Sequence, residues 1–244
     1  RAAVFLTSLR FLGDKSVKLR EAEVRRALPG VAVHFKYRLI GVCPGESSIW
    51  TGQLRRSIRR LGWDSRQPII VHCRGEATAV AAIRLKRSDP RLRILVDVRG
   101  AAEDESSYAG WLGRYLAHHR RRQLEEAMAG ADAVNTVSHR LMDHLRRRGL
   151  LRPQALTTVV PCCVNTGTFH FSEEQRRQRR EELGLRDKFV VCYSGAMQRW
   201  QRPDAIAAAF AAIRSAMPDA HLLVLTKQAS IFQEHMSSAG VSSQ

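Results

Sequence analysis

Short apolar runs alternate with amphipathic or alanine-rich stretches along most of the chain. The apolar runs have the length of buried strands, and turn-forming residues separate them from the helical stretches. The predicted strands are 3–7, 31–37, 68–74, 93–98, 131–137, 156–160, 189–193 and 221–226. The predicted helices are 15–28, 49–63, 76–87, 108–128, 139–148, 173–183, 203–217 and 230–238. This alternation of strands and helices is typical of an α/β protein with a parallel sheet.

The predicted strands form one full group and one partial group. The first six strands and their helices amount to a complete Rossmann-like domain, which we place at residues 1–165. Residues 166–244 contain only two strand–helix pairs, the first part of a second Rossmann-like domain. Two parallel strands leave a sheet with an open edge. Because the first residue is Arg1 rather than Met, we expect a fragment of a longer protein.

The stretch FVVCYSGAMQRWQRPD at residues 189–204 combines a predicted strand, a glycine turn and the start of an alanine-rich helix. Pro203 suits the first turn of that helix. Such a turn directs backbone N–H groups and a helix N-terminus towards a phosphate group. Arg199 and Arg202 lie in the same turn, where guanidinium groups bind a diphosphate bidentately. Glycine after a strand is common in α/β proteins, so the pattern alone is weak evidence for a phosphate site.

The chain is strongly basic. Its 244 residues carry 40 lysines and arginines against 23 acidic residues, which gives a formal net charge of +17. Two explanations stay open: solvated faces of an arginine-biased protein, or an anionic partner such as a lipid surface, a sugar nucleotide or a nucleic acid. Aromatic residues are few and are not interleaved with basic ones, and no helix-turn-helix, zinc-finger or RNA-recognition signature is present. We therefore expect no nucleic-acid partner.

The five cysteines do not form a metal-binding motif. None of the spacings is CxxC, and the adjacent pair Cys162-Cys163 lacks zinc-finger spacing. Cys73 and Cys192 lie in apolar runs, so we expect both to be small core residues. An odd number of cysteines, with some inside strands, suits a reducing cytosol. The sequence shows no signal peptide and no apolar run long enough to span a membrane, so we expect a cytoplasmic protein.

Four segments, in this order, resemble one family of enzymes. They are VVPCCVNTGTFHF at 159–171, EELGL at 181–185, SGAMQRWQ at 194–201 and HLLVLT at 221–226. The order is similar to that in retaining glycosyltransferases of the two-domain GT-B type, family 4 (group 1). The third segment resembles a subgroup in which YSGSxxKWQ replaces GRxxxxKG. The resemblance spans residues 156–227 and implies a GT-B α/β fold with two Rossmann-like domains.

The resemblance also implies a chemistry. Enzymes of this family move a sugar from a nucleoside diphosphate sugar to an acceptor hydroxyl, with retention at the anomeric carbon, in cell-surface polysaccharide or glycolipid synthesis. The nucleotide sugar is then a co-substrate, and the acceptor is a glycan or a lipid-linked group. No metal or other cofactor is expected, because positive side chains stabilise the leaving diphosphate. Some members of the resembled family associate with membranes. The anionic inner face of the membrane is therefore a further candidate location for this protein.

Several residues match donor-phosphate positions of the resembled family. Arg199 matches the lysine of KWQ, Arg202 lies nearer the lysine of the commoner spacing, and Gly195 is the glycine of the turn. The first loop of the family is often glycine-rich and faces the donor phosphates. Here its one glycine is Gly13, so a phosphate contact and a plain turn both stay open. Ser138, in a segment that resembles vxTVSxxL, is predicted to cap the following helix rather than contact the donor.

A polar loop with Asp97, Arg99 and Glu105 begins at the end of the predicted strand 93–98. Polar groups at the carboxyl ends of parallel strands point into the binding crevice of open α/β sheets. The resembled subgroup has DxRG…(D/E)E here, which implies that the three residues contact the acceptor or the reacting sugar as catalytic groups. The alternative is a buried Asp–Arg pair that holds the loop, with Glu105 favoured by the start of a helix.

A non-catalytic function is the alternative to the enzyme. After residue 190 the chain has one glutamate, Glu234, so it lacks the ExxxxxxxE pair with which the family grips the donor nucleoside and sugar. The protein is then a truncated enzyme, or a remnant that binds a membrane surface or a partner. The predicted helix 49–63 has arginines opposite its apolar positions. This helix would either dock on a membrane or pack its apolar positions against the core, with the arginine side exposed to solvent.

Overall fold

The computed structural model describes residues 3–9, 22–23, 25–26, 32–38, 46–60, 62, 66–107 and 110–240. Strands and helices alternate along these residues, which confirms the predicted α/β class. The strands are β1 (Ala3–Leu9), β2 (Ala32–Arg38), β3 (Ile69–Arg74), β4 (Leu92–Val98), β5 (Ala133–Thr136), β6 (Leu156–Val159), β7 (Phe189–Ser194) and β8 (Ala220–Leu225). The helices are α1 (Glu46–Arg60), α2 (Glu76–Lys86), α3 (Ala102–Ser107), α4 (Gly110–Gly130), α5 (His139–Arg147), α6 (Glu173–Glu182), α7 (Pro203–Ala216) and α8 (Ala229–Ser238).

The clearest difference from the predicted elements lies between β4 and β5. The sequence predicts one helix at 108–128, whereas the structure has α4 and, before it, the short helix α3. The first turn of α3 contains Glu103, Asp104 and Glu105. Carboxylates near a helix N-terminus interact favourably with the helix dipole. This local preference explains why a polar segment without apolar periodicity is helical.

The chain divides into two compact units. The first unit comprises Arg1–Gly100 and His118–Val160, and the second comprises Ala101–Ala117 and Pro161–Gln244. Helix α4 begins in the second unit and ends in the first. The assignment of domains to residues 1–165 and 166–244 stays a prediction.

The described part of the first unit contains two parallel sheets. In one, β1 pairs with β2; in the other, the strand order is β3-β4-β5-β6. The register of the second sheet sets Arg74 beside Asp97 and Asp97 beside Asn135. Because the strands are parallel, their polar carboxyl ends meet at the same edge of the sheet.

The core of the first unit lies between β4 and α2. Leu92, Ile94 and Val96 of β4 are fully buried, because β4 has a strand on each side and helices against its face. Helix α2 is rich in alanine, and Ala79 and Ala82 are 0% exposed. Burying an aliphatic side chain of the size of those in β4 contributes roughly 1.5–3 kcal/mol. This packing holds the carboxyl ends of the strands of this sheet in fixed positions.

Helix α1 faces this core. Ile58 is buried, and Leu54 packs against the same cluster, while the arginines of the other side are exposed: Arg55, Arg56, Arg59 and Arg60. The core-facing interpretation of the predicted helix 49–63 is therefore confirmed. The helices within the described residues include none with the length and apolarity needed to cross a bilayer.

The second unit has a smaller core around the parallel pair β7–β8. Its buried centre is formed by Phe210 of α7 and Ala220 of β8. The expectation that β7 is a buried strand is wrong, because Phe189 is 51% exposed. The expectation that Cys192 lies in the core is wrong as well, since its side chain is exposed, whereas Cys73 is buried as predicted. Among the described strands β7 has one neighbour, and a two-stranded sheet leaves much of each face uncovered.

Candidate functional site

Polar side chains gather at the carboxyl ends of β3, β4 and β5 in the first unit. We call His72, Asp97, Arg99 and Asn135 the strand-end cluster. Asp97, near the end of β4, is only 4% exposed. Its backbone carbonyl accepts a hydrogen bond from the N–H of Gly75, at 3.1 Å. The loop after β3 is thereby tied to the end of β4, and the Asp97 side chain is held in place.

The Asp97 carboxylate has three polar side chains near it, and those of Asn135 and Arg99 stabilise its negative charge. Asn135 donates a hydrogen bond from Nδ2 to Asp97 Oδ1 at 2.7 Å. The other oxygen, Oδ2, lies 3.5 Å from Arg99 Nη1 and 3.8 Å from His72 Nε2. A buried carboxylate without such partners would be strongly destabilising. Asp97 and Arg99 therefore form an ion pair, but only Asp97 is buried, whereas a buried pair was predicted. The cluster also contains His72 and Asn135, to which the sequence assigned no role.

Asn135 has one polar atom that stays unpartnered. Asn135 is 9% exposed, and its Oδ1 is buried without a hydrogen-bond partner among the described residues. The opposite orientation of the amide would set Oδ1 against the Asp97 carboxylate, so Asp97 determines which way the amide points. A buried acceptor without a donor costs about 1–3 kcal/mol. The cluster thus contains an acceptor that a hydroxyl or water could satisfy if a neighbouring side chain moves.

Glu105 belongs to α3, which is part of the second unit, and its N–H donates to the carbonyl of Ala101 at 2.9 Å. Of the three predicted catalytic residues, the first unit brings together Asp97 and Arg99. The role of Glu105 stays a prediction, and Gly13, the first-loop glycine, lies outside the described residues.

The turn after β7 was the predicted phosphate site. The N–H of Gly195 donates to the carbonyl of Leu225 at 3.1 Å, so this amide already has a partner in the protein. The Tyr193 hydroxyl reaches over the turn and donates to the carbonyl of Ala196 at 2.7 Å. A Cβ atom at Gly195 would lie 3.0 Å from that hydroxyl oxygen. A larger residue here would displace the Tyr193 hydroxyl by a few tenths of an ångström, so the turn favours a small residue.

A glutamine from the loop after β8 holds the turn in place. Gln228 Oε1 accepts a hydrogen bond from the N–H of Met197 at 2.8 Å. The N–H of Gln228 donates in turn to Thr226 Oγ1 at 3.2 Å, and Met197 is buried. Sequence reasoning missed Gln228, because its role depends on the pairing of β7 with β8.

The two predicted phosphate arginines have different surroundings. Arg202 has a positive φ of 55°, and its guanidinium binds Asp204 through Nε at 3.0 Å and Nη2 at 2.8 Å. This pairing lowers the pKa of Asp204 to about 2. Asp204 lies in the first turn of α7, where an anion is favoured. The N-terminus of α7 therefore already has an anionic group near it, the carboxylate of Asp204.

Arg199 is exposed in the short 3₁₀ turn Arg199–Gln201. Its guanidinium makes no hydrogen bond or ion pair with any residue that the structure describes. Gln198 and Gln201 cap this turn reciprocally, and Gln198 N–H donates to Gln201 Oε1 at 3.2 Å. Arg199 is thus a cation on a well-defined turn, available to an anionic ligand.

Residues 7–163 match the family described as the glycosyl transferase 4-like domain, which is more than half of the chain. The chain belongs to this family. No curated protein matches the sequence. The match contains the strand-end cluster and ends before the turn after β7.

Solved structures share the fold of this glycosyl transferase 4-like protein. Sucrose-phosphate synthase from Thermosynechococcus elongatus has a TM-score of 0.60 at 16% identity, covering 92% of this chain and 62% of that one. Anabaena HepE in complex with UDP and glucose has a TM-score of 0.63 at 14% identity, covering 99% and 59%. A glycosyltransferase from Rickettsia africae has a TM-score of 0.59 at 14% identity, covering 97% and 57%. These similarities confirm the GT-B type α/β fold. The present chain spans about three fifths of the length of these proteins.

Proposed function

We propose that this protein is a glycosyltransferase that moves a sugar from a nucleoside diphosphate sugar to an acceptor hydroxyl, and that it is a truncated form of a longer enzyme. The observation that carries the proposal is the strand-end cluster, which lies inside the family domain and at the carboxyl edge of a parallel sheet. Ligands of open α/β sheets bind outside this edge. HepE, which has the same fold, is described in complex with UDP and with UDP-glucose.

In this proposal the strand-end cluster binds the acceptor or the reacting sugar. Asp97 accepts hydrogen bonds from hydroxyl groups, while Arg99 donates to sugar oxygens. Asn135 orients the carboxylate and offers Oδ1 as a second acceptor. By the family pattern alone, Glu105 is the third residue that we propose to contact the acceptor or the reacting sugar. Because these groups are preorganised, they would stabilise charge that develops in the transition state.

Arg199 is the residue that we propose to bind the donor diphosphate. It has no competing carboxylate partner among the described residues, whereas Arg202 already binds Asp204. Gly195 contributes by its small size rather than by its amide, and Gly13 is a further candidate for a phosphate contact by the resemblance alone. Cationic side chains then take the place of a metal ion in neutralising the leaving diphosphate. The sugar is transferred with retention, in the synthesis of a cell-surface polysaccharide or glycolipid at the inner membrane face.

Calorimetric titration with UDP and with UDP-glucose tests the donor site. Removing a charged hydrogen bond costs about 1.5–3 kcal/mol, so Arg199→Ala should weaken UDP binding roughly tenfold or more. Arg177→Ala is the matched control, because Arg177 is exposed on α6 and has no partner among the described residues. It removes the same charge from the same unit and should leave the affinity nearly unchanged. Equal affinities of the two variants would refute the assignment of Arg199.

Asp204→Asn distinguishes the two functions open to Arg202. If Arg202 binds phosphate, removing its competing carboxylate should tighten UDP binding. If Arg202 only supports the start of α7, the affinity should stay the same while the melting temperature falls. The second outcome would leave Arg199 as the one arginine of this turn that binds the donor.

A transfer assay with UDP-glucose and a panel of glycan and lipid-linked acceptors tests the enzyme itself. Asp97→Asn should lower the transfer rate and leave the UDP affinity unchanged, since it changes the acceptor side. Addition of EDTA should have no effect, and the anomeric coupling constant of the product by NMR should match that of the donor. Binding to anionic vesicles without UDP binding or transfer would instead support the membrane-binding alternative.

A further inference from the structure

Two adjacent thiols are exposed in the segment that connects β6 to α6. Cys162 and Cys163 are both exposed and neither forms a disulfide. This part of the segment has no helix or strand, and it follows Pro161. The Cys163 thiol donates a weak hydrogen bond to the carbonyl of Pro161 at 3.2 Å. The proposed glycosyl transfer makes no use of either thiol.

The spacing of these thiols disfavours a direct bond between them. Consecutive Cα atoms lie about 3.8 Å apart across a trans peptide, whereas the Cα atoms of disulfides are usually about 4.4–6.8 Å apart. A disulfide between neighbours is therefore strained. An atom inserted between the two sulfurs lengthens the bridge and relieves that strain. Thiolates are soft ligands and select soft ions.

We propose that Cys162 and Cys163 form a bidentate binding site for soft, thiophilic centres that accept two thiolates, with trivalent arsenic compounds as the representative class. Binding of an arsenoso group breaks two S–H bonds and the arsenic–oxygen bond and forms two As–S bonds, and the oxygen leaves as water with both protons. No oxidant or reductant is required. The proposal is independent of glycosyl transfer, because it rests on this segment alone.

The pair should bind far more tightly than a single exposed thiol. Once the first sulfur has bound, the second reacts within the same molecule, and such linkage raises affinity by about 10²–10⁴-fold. Cys192 is an exposed thiol without a neighbouring cysteine in the sequence, so it serves as an internal comparison. Burial raises the pKa of Cys73 to about 12, which keeps that thiol protonated and unreactive.

Phenylarsine oxide is the probe, with intact mass and peptide mapping as the readouts. Cys43 lies outside the described residues and is replaced by serine throughout. The parent protein and Cys192→Ser should each take up one tightly bound phenylarsenic group, which a dithiol removes and glutathione does not. Cys162→Ser and Cys163→Ser should each lose affinity on the order of 10²-fold or more.

Protection from alkylation gives a test without any site variant. Phenylarsine oxide should block both Cys162 and Cys163 from iodoacetamide, while Cys192 stays reactive. The proposal is overturned if either serine variant keeps the adduct, if glutathione removes it from the parent, or if only one of the adjacent cysteines is protected.

Discussion

The close approach of α4 to α2 allows a quantitative test of the packing in the core of the first unit. Gly130 is the last residue of α4, and a Cβ atom there would lie 2.5 Å from Ile83 Cγ2, 2.8 Å from Cγ1 and 2.9 Å from Cδ1. Ile83 belongs to α2 and is only 6% exposed, within the main cluster of the first unit. Because Ile83 is packed on its other sides, it has little room to move. The substitution tested is Gly130→Ala.

Two opposing effects determine the size of the change. Overpacking a well-packed core costs about 1–3 kcal/mol. Alanine is favoured over glycine by up to about 1 kcal/mol in a helix interior, and by less at a helix end such as this. The clash involves three atoms of a buried branched side chain, so packing should outweigh helix propensity. We expect Gly130→Ala to lower the free energy of unfolding by roughly 1–2 kcal/mol.

Urea unfolding followed by circular dichroism measures this difference. Gly52→Ala is the matched control, because Gly52 lies within α1 and a Cβ there would meet no atom within 4 Å. Alanine loses less backbone conformational entropy on folding than glycine does, so that variant should be more stable by about 0.5–1 kcal/mol. The two alanine variants should therefore shift the urea midpoint in opposite directions. A Gly130→Ala protein as stable as Gly52→Ala would refute the close packing of the two helices.

A double-mutant cycle assigns the effect to its contact. Ile83→Ala removes all three clashing atoms and should by itself cost about 2–5 kcal/mol through the cavity that it leaves. In that background Gly130→Ala should cost much less than alone, and it should partly fill the cavity. An unchanged cost of Gly130→Ala would mean that the destabilisation comes from elsewhere.

Two local interactions of the first unit give further predictions. Burial raises the pKa of Asp132, but hydrogen bonds from Lys86 and from the N–H of Ile94 outweigh it and lower the pKa. Its contribution to stability should be full above the unfolded pKa of about 3.9 and should disappear as the pH falls through the lower folded value. Asp132→Asn should therefore flatten the acid side of a stability–pH profile; an unchanged slope below about pH 4 would contradict this. Ser138 Oγ accepts from the N–H of Leu141 at 3.2 Å, which confirms the predicted N-cap, so Ser138→Ala should cost about 1 kcal/mol in urea unfolding. Ser138→Asp, which keeps an acceptor, should not.

Local signals in the sequence were enough to predict most elements of the fold. Apolar spacing predicts the strands and helices, since each is defined by neighbours within a few residues. Ser138 at the N-cap of α5 and Pro203 in the first turn of α7 follow from capping preferences that act within one turn. Asp97 was found as a polar residue at the end of an apolar run. The same signal is present in Asn135 near the end of β5.

The tertiary structure alone decided which residues share an environment. Asp97 and Asn135 are 38 positions apart, and only the parallel pairing of β4 with β5 brings their side chains to hydrogen-bonding distance. The binding of Gln228 to the turn after β7 depends on strand pairing in the same way. The exposure of Cys192 depends on how much of the sheet is covered, and its apolar neighbours in sequence do not reveal that. Periodicity reports which face of an element prefers burial, whereas contacts between distant segments depend on the packing of the whole chain.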